Sequence, residues 1–413
     1  MTKRDAKDEK KAPKLRFKGF TDDWEQVKFG KITSKYKTRN KDGEQLRSFS
    51  VSNIYGFIPQ EEQFENGGIA LNADKKNSII VTPNSFAYNP ARINVGSIGY
   101  YNGNENVLVS SLYEVFKLHK EYDPNYLWFW LKSNHFNWWI HRLQEGSVRS
   151  YFYYDKFSEI KERMPSLPEQ MKIGQLLKSL DHTITLHEEK QKQLEQLKKA
   201  LLQKMFVDKT GYPELRFNSF NKPWEQVKLG AIYRKIRNAF VGTATPFYVS
   251  KGHFYLESNN VKEGKINTDS QKFINDTFYI KQRNKWLHTG DIVMVQSGDV
   301  GQSAVIPPEL NNSAAHALIM FQEPKMNVDP RFLNVQFQGT RSKKQIGNIT
   351  KGNTIKHILA SDMQKFVVLF PDIEEQQSIG QLFQILDHII TLHTKKIEEL
   401  KQLKQALLQQ MFI

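Results

Sequence analysis

The sequence predicts an α+β chain built twice, with two similar mixed α/β domains and two long helices that pair as a coiled coil. Three observations carry this expectation. Residues 13–30, PKLRFKGFTDDWEQVKFG, return at 213–230 as PELRFNSFNKPWEQVKLG, with eleven of 18 positions identical. Residues 169–206 return at 375–412, with 24 of 38 positions identical. An internal repeat on this scale marks a tandem duplication. Third, the 169–206 and 375–412 segments carry apolar residues at alternating four- and three-residue spacing, the a/d period of a coiled coil. The segments between them carry short β-branched and aromatic runs bounded by Gly, Asn or Pro, which read as strands.

A chain of 413 residues has room for two or three domains with ample core. It has no cysteine, which excludes disulfides and thiolate metal sites and fits a reducing, cytoplasmic setting. The opening MTKRDAKDEKKAPK has no apolar run, so it reads as a disordered basic leader over residues 1–12 and not as a signal peptide. The most apolar window, YLWFWLKSNHFNWWI at 126–140, is too short to span a bilayer. Lys132, Asn134, His135 and Asn137 interrupt it, so it reads as core helix with no membrane association. The net charge of +15 favours a polyanionic partner. That charge is uneven, at +1 over residues 21–168 and +8 over 207–373.

The intervening segments, 31–165 and 231–370, have diverged. Strands are expected in FAYNPARI, SIGYYNG, LVSSLYEVFKL, DIVMVQSG and ALIMFQ. Helices are expected over 124–144 and 330–347, each opened by Asp-Pro as cap and first-turn proline. Tyr126-Leu127 and Phe332-Leu333 keep an offset of 206, as do Gly146 and Gly352. Gly96-Ser97-Ile98-Gly99 aligns with Gly298-Asp299-Val300-Gly301 at an offset of 202, which requires a small insertion.

The coiled-coil stripe comprises Ile173, Leu177, Leu180, Ile184, Leu194 and Leu201 in the first copy. In the second it comprises Ile379, Phe383, Leu386, Ile390, Ile397, Leu400 and Leu407. A helix of about 37 residues is about 55 Å long at 1.5 Å per residue. His187, Gln191, Lys198, His393 and Lys404 interrupt the stripe, and such residues fix register at a cost in stability. Leu176, Leu186, Leu197, Leu202, Leu382, Leu392, Leu403 and Leu408 lie off the stripe. They either pack on the globular segments or receive helices of a partner. The repeated LDH-ITLH phrase is not a metal site by its spacing. His182 and His187 are five apart, about 140° around a helix, whereas helical zinc motifs use i,i+4.

No Walker loop, G-x-G-x-x-G, H-E-x-x-H, G-x-S-x-G or Asn-Pro-Pro-aromatic motif occurs; Asn89-Pro90-Ala91-Arg92 is a poor echo of the last. The pattern is that of a binding module without catalytic residues or a metal. Residue types that contact phosphates or read base edges cluster in both halves. In the first half they are Lys35, Lys37, Arg39, Arg92, Asn94, Tyr100, Tyr101, Arg149 and Tyr151. In the second they are Arg234, Lys235, Arg237, Asn259, Asn260, Lys262, Gln296, Ser297, Arg341, Lys343, Lys344, Lys351, Asn353 and Thr354.

The chain after its leader resembles the specificity (S) subunit of bacterial type I restriction–modification enzymes. The residues that carry the resemblance are LRF…F…W…VKFG with its repeat, and the helix openings PSLPEQMKIGQLLKSLD and PDIEEQQSIGQLFQILD. GDIVMVQSGDVGQSAVI and the Gly-led stretches GSVRSYFYYDKFSEIKERMP and GNTIKHILASDMQKFVVLFP add to it. Glu374 stands where the first copy has Pro168, which leaves open only where the second helix starts. The resemblance implies target recognition domains at 13–168 and 209–373, separated by antiparallel conserved spacer helices at 169–208 and 374–413. Each domain would bind half of a gapped, bipartite target in double-stranded DNA. Two methylation subunits would dock around the helices and carry S-adenosylmethionine for adenine methylation. Restriction subunits using ATP and Mg would join them, so that host DNA is methylated and unmodified foreign DNA is cut. This chain would itself be non-catalytic. Duplication gives such a subunit pseudo-two-fold symmetry, so identical partners dock on a single chain. At about 3.4 Å per base pair, a 55 Å spacer covers at most ~16 base pairs. The rival expectations are a coiled-coil adaptor whose basic segment binds RNA or a protein, and a stand-alone nuclease or methyltransferase.

Overall fold

The structure, a computed structural model, describes residues 11–53, 56–63, 75–146, 150–206, 211–352 and 356–412. Contacts divide the chain into two compact units: Met1–His187 with Lys395–Ile413, and Glu188–Thr394. The long helices, Leu167–Lys204 and Ile373–Gln410, therefore each contribute one half to either unit.

The first unit is built on a four-stranded antiparallel sheet. Its order is Thr33–Lys35, Glu114–Leu118, Ser85–Tyr88, Ile98–Tyr101. The second unit repeats that order with Tyr233–Asn238, Leu318–Pro324, Ile292–Val295 and Ser303–Val305. Each sheet is buried on both faces. Phe86, Tyr88 and Phe116 enter the main core of the first unit, while Ala87 and Val115 enter a smaller one with Ile79 and Val81. Ile292, Met294 and Phe321 divide from Val293, Val295 and Met320 in the same way. Double burial explains why these strands read as continuous apolar runs with imperfect alternation.

The strand pairing corrects the alignment of the glycine turns. Asn89 N donates to Ser97 O at 3.1 Å, and Val295 N donates to Gln302 O at 2.7 Å. These bonds close equivalent turns, so Gly96 corresponds to Gly301, at an offset of 205. Both take a left-handed φ, +86° and +87°.

The helices expected at 124–144 and 330–347 are each broken in two. The pieces are Pro124–Trp130 and Asn134–Leu143, then Pro330–Gln338 and Thr340–Ile349. The breaks fall at Ser133 and Gly339, whose extended backbone starts a new helix. The Asp-Pro starts are real caps. Asp123 accepts from Tyr126 N at 2.7 Å, and Asp329 accepts from Arg331 N at 2.8 Å.

The repeated motifs anchor the long helices. Glu169, 1% exposed in the first helical turn, takes two bonds from Arg16 (2.8 and 2.7 Å) and one from Trp24 Nε1 (3.1 Å). Glu375 does the same with Arg216 (2.7 and 2.7 Å) and Trp224 (3.2 Å). The following Gln170 accepts from Asp123 N and donates to Pro165 O, as Gln376 does with Asp329 N and Pro371 O. One turn on, Gly174 lets the Asp123 cap approach; a Cβ there would lie 2.5 Å from Asp123 Oδ1. The two helices begin at equivalent residues, Leu167 and Ile373, so Glu374 in place of Pro168 moves nothing.

Beyond that anchor the stripe divides its work. Ile173 and Leu177 join the main core of the first unit, where Met411 and Phe412 from the end of the second helix also pack. Leu180, Ile184, Leu400 and Leu407 form a helix–helix seam. In the second unit, Ile379 and Phe383 share a core with Met205, and Leu201 packs on it. Leu194, Leu386, Ile397 and Leu400 are buried, and Ile390 is half-buried. In each unit residue numbers rise on one helix as they fall on the other, so the helices are antiparallel. The Asp of the repeated phrase has a partner in the other copy. Asp181 pairs with Lys404 in the first unit, and Asp387 pairs with Lys198 in the second, at 2.5 and 2.7 Å. The stripe lysines are thus neutralised within the seam. Among the off-stripe leucines, Leu202, Leu382 and Leu408 pack on the cores. Leu186, Leu197, Leu392 and Leu403 stay 47–51% exposed.

Candidate nucleic-acid interface

In each unit a loop joins the last two strands of the sheet. In the first unit it runs from Asn89 to Ser97. Buried Ile93 pins it from below, and Gly96 closes it. Arg92, Asn94 and Val95 project into solvent, Val95 being 52% exposed. Phe152 N donates to Pro90 O at 3.0 Å and ties this loop to a second one, whose ends Glu145 and Tyr151 exchange backbone bonds of 2.8 and 2.7 Å. Tyr151 stacks on Tyr153 with ring centroids 5.7 Å apart.

The second unit repeats the pair of loops. Ile358 N donates to Gln296 O, and Gly298 N donates to Lys356 O. Lys351 and His357 exchange backbone bonds of 2.8 and 2.9 Å. Gln296 and Ser297 are half-buried, and Ser297 Oγ lies 3.4 Å from Lys356 O. Asp299 is exposed between two left-handed glycines, Gly298 (φ +88°) and Gly301 (φ +87°). A Cβ on Gly301 would meet Ile346 at 2.9 Å, so this turn is held against the helix Thr340–Ile349. The loop borders a cleft of about 1310 Å³, whose other walls include Lys199, Lys262, Lys343 and Lys356. Among the described residues none of these four lysines makes an ion pair, in contrast to Lys198 and Lys265, which meet Asp387.

The structure thus brings Arg92, Asn94 and Tyr151 together in one unit, and Gln296, Ser297, Lys262, Lys343 and Lys351 in the other. Lys351 also pairs with Asp362 at 3.2 Å. Arg149, Asn353 and Thr354 lie outside the described residues. Several candidates are placed elsewhere or already occupied. Lys35 pairs with Glu114 on the opposite edge of the sheet, and Lys37 and Arg39 lie exposed beyond that strand, where Arg39 bridges Ile79. Tyr101 is a core residue, 8% exposed, packed on Phe57 and donating to Glu105 O. Tyr100 stacks on Phe86 and donates to Asn84, and burial raises its phenol pKa. Asn260 is 3% exposed and serves as a cap, accepting from Glu257 N and donating to Asn267 O and Ser270 O. Arg237 is held by Gln322 and Asn284 O, and Lys235 by Glu323. Arg234, Asn259 and Lys344 are exposed, and Arg341 is half-buried. Sequence reasoning missed Val95, Lys199, Asp299 and Lys356. The corrected glycine alignment would have paired Asn94-Val95-Gly96 with Asp299-Val300-Gly301.

No described helix is long and apolar enough to cross a membrane. Among the described residues no group of three or more His, Asp or Glu is placed to hold a metal ion.

The family model described as "Type I restriction modification DNA specificity domain" matches the chain twice, at residues 21–196 and 221–402. The type I restriction enzyme MjaVIII specificity subunit of Methanocaldococcus jannaschii is 22% identical over 409 residues, covering 94% of this chain and 91% of that protein. The fold is similar to the S subunit of a type I restriction–modification system from M. genitalium, with TM-score 0.60 and 14% identity, over 97% of this chain and 99% of that one. A second similar structure comes from work on complex assembly and conformational transition of the type I R-M system. Its TM-score is 0.50 at 16% identity, over 96% of this chain and 98% of that one.

Proposed function

The chain belongs to the type I restriction–modification DNA specificity family, the non-catalytic component that chooses the DNA target, and from that premise we propose that each unit reads one half of a gapped, bipartite sequence. The observation that carries this reading is the same loop pair on the same strand order in both units, with different side chains: Arg92 and Asn94 in one, Ser297 and Asp299 in the other. One scaffold with two reading surfaces suits a target of two unlike halves. The recognition domains are residues 13–168 and 209–373. The antiparallel helices set the gap, and two methylation subunits dock around them, where Leu186, Leu197, Leu392 and Leu403 offer apolar contacts. Those subunits bring S-adenosylmethionine and methylate adenine. Restriction subunits bring ATP and Mg chemistry and cut DNA that lacks the mark.

Adding one four-residue element to both long helices tests this. About 6 Å of added helix corresponds to about two base pairs of DNA. Methylation mapping of the assembled complex should show a longer gap between unchanged half-sites. Altered half-sites at unchanged spacing would refute the reading. Replacing residues 31–165 with the equivalent segment of another specificity subunit should change one half-site only.

A further inference from the structure

We infer that Asp299 is a base-reading residue, accepting a hydrogen bond from the exocyclic amino group of a base in the second half-site, with cytosine favoured over adenine. The inference deepens the proposed function and rests on it.

The strand register makes the two reading loops comparable. Gly96 and Gly301 occupy the same place, and counting back from them sets Asn94 against Asp299. The two side chains have the same shape and differ in one group. An asparagine both donates and accepts, which matches the N6–H and N7 of adenine in the major groove. An aspartate only accepts. Beside adenine its second oxygen would face the N7 lone pair, whereas cytosine N4 offers a donor without a neighbouring acceptor.

The surroundings of Asp299 argue for a reading role as well. It is exposed, and no described ion pair includes it. Among the described residues the lysines that share its cleft, Lys199, Lys262, Lys343 and Lys356, make no ion pair and are suited to phosphates. Glu195, Glu263, Asp269 and Asp387 line the same cleft, and Asp387 is held by Lys198 and Lys265. Asp299 differs in sitting on the reading loop itself, where a carboxylate facing DNA weakens binding unless it meets a donor. The loop is also fixed before binding. Gly298 N is bonded to Lys356 O, Gly301 N to Val295 O, and the Gly301 backbone lies against Ile346. A base contact from such a loop carries little ordering cost.

The test uses the chain co-assembled with its methylation subunits, methylating a DNA library randomised across the second half-site. Asp299→Asn keeps the shape and removes the charge, and Asp299→Ala removes the acceptor. Both should lower the preference for one base at one position of the second half-site by about ten-fold or more, with the first half-site unchanged. A cytosine at that position supports the favoured pairing, and an adenine there supports the amino contact while correcting the base. Asn94→Asp should shift one position of the first half-site instead. If both Asp299 variants leave every position of the second half-site within about two-fold of wild type, Asp299 does not read a base. If the wild-type complex shows no bipartite motif, the proposed function fails, and this inference with it.

Discussion

Removing Glu169 should cost the first unit far more than one hydrogen bond. The carboxylate is 1% exposed and accepts from Arg16 Nε, Arg16 Nη2 and Trp24 Nε1 at 2.8, 2.7 and 3.1 Å. Arg16 is itself only 12% exposed, and its bond to Glu169 is the main reason its guanidinium pKa is raised. Glu169→Ala leaves that cation with Asp22 O as its remaining described acceptor and leaves Trp24 N–H without one. Breaking a buried ion pair from one side costs about 3–5 kcal/mol, because the remaining charge keeps its desolvation penalty. Replacing both charges, Arg16→Met with Glu169→Leu, should recover most of that loss. The indole donor stays unpaired, at about 1–3 kcal/mol. Native-state hydrogen exchange on the full chain reads the opening free energy of each unit separately, with the second unit as internal control. Glu375→Ala should give the mirror result. A loss below about 1 kcal/mol for Glu169→Ala, or a double variant no better than the single, would show that water solvates Arg16 and that the buried-pair argument is wrong.

Further outcomes follow from the same geometry. Deleting residues 411–413 removes Met411 and Phe412, both at most 3% exposed, and should destabilise the first unit by about 3–5 kcal/mol while sparing amides of the second. Gly174→Ala should destabilise despite alanine's better helix propensity, by about 1–3 kcal/mol. Gly380→Ala, whose Cβ meets neighbours at 3.1–3.2 Å, should cost less in the same exchange experiment. Asp181→Lys should weaken the seam and Lys404→Asp should restore it when added, a coupling of about 1 kcal/mol for a partly exposed pair by double-mutant cycle. Burial, the largest cause, raises the pKa of Glu162 above 4.5, so the folded state holds its proton more tightly than the unfolded chain. The first unit should lose stability as pH rises from 4.5 through that raised value, and Glu162→Gln should flatten the slope in urea titrations.

The duplication, the strands and the long helices were legible because each leaves a periodic or repeated trace. The two loop pairs proposed to read DNA were only half legible. Arg92, Asn94, Gln296 and Ser297 stand out by residue type, but type alone also selected Tyr101 and Asn260, which burial assigns to a core and a cap. Chain order cannot separate an exposed tyrosine from a buried one when both sides of the sheet are covered. The Gly96–Gly301 equivalence was hidden by an insertion inside the loop and emerged from strand pairing. Lys199 and Lys356 belong to one cleft through tertiary contact alone.

The long helices also complete the cores of the two units. Met411 and Phe412 complete the core that contains Ile173 and Leu177, and Met205 completes the one that contains Ile379 and Phe383. Each unit is therefore finished by the far end of the helix that the other copy begins. Lengthening one helix alone must displace a core end or break the Asp181–Lys404 or Lys198–Asp387 pair in one of the units. Lengthening both by the same number of residues leaves each end in its core and each pair intact. The helix pair thus tolerates a change of length only in matched steps. The helices share 24 of 38 positions, while the segments they carry differ.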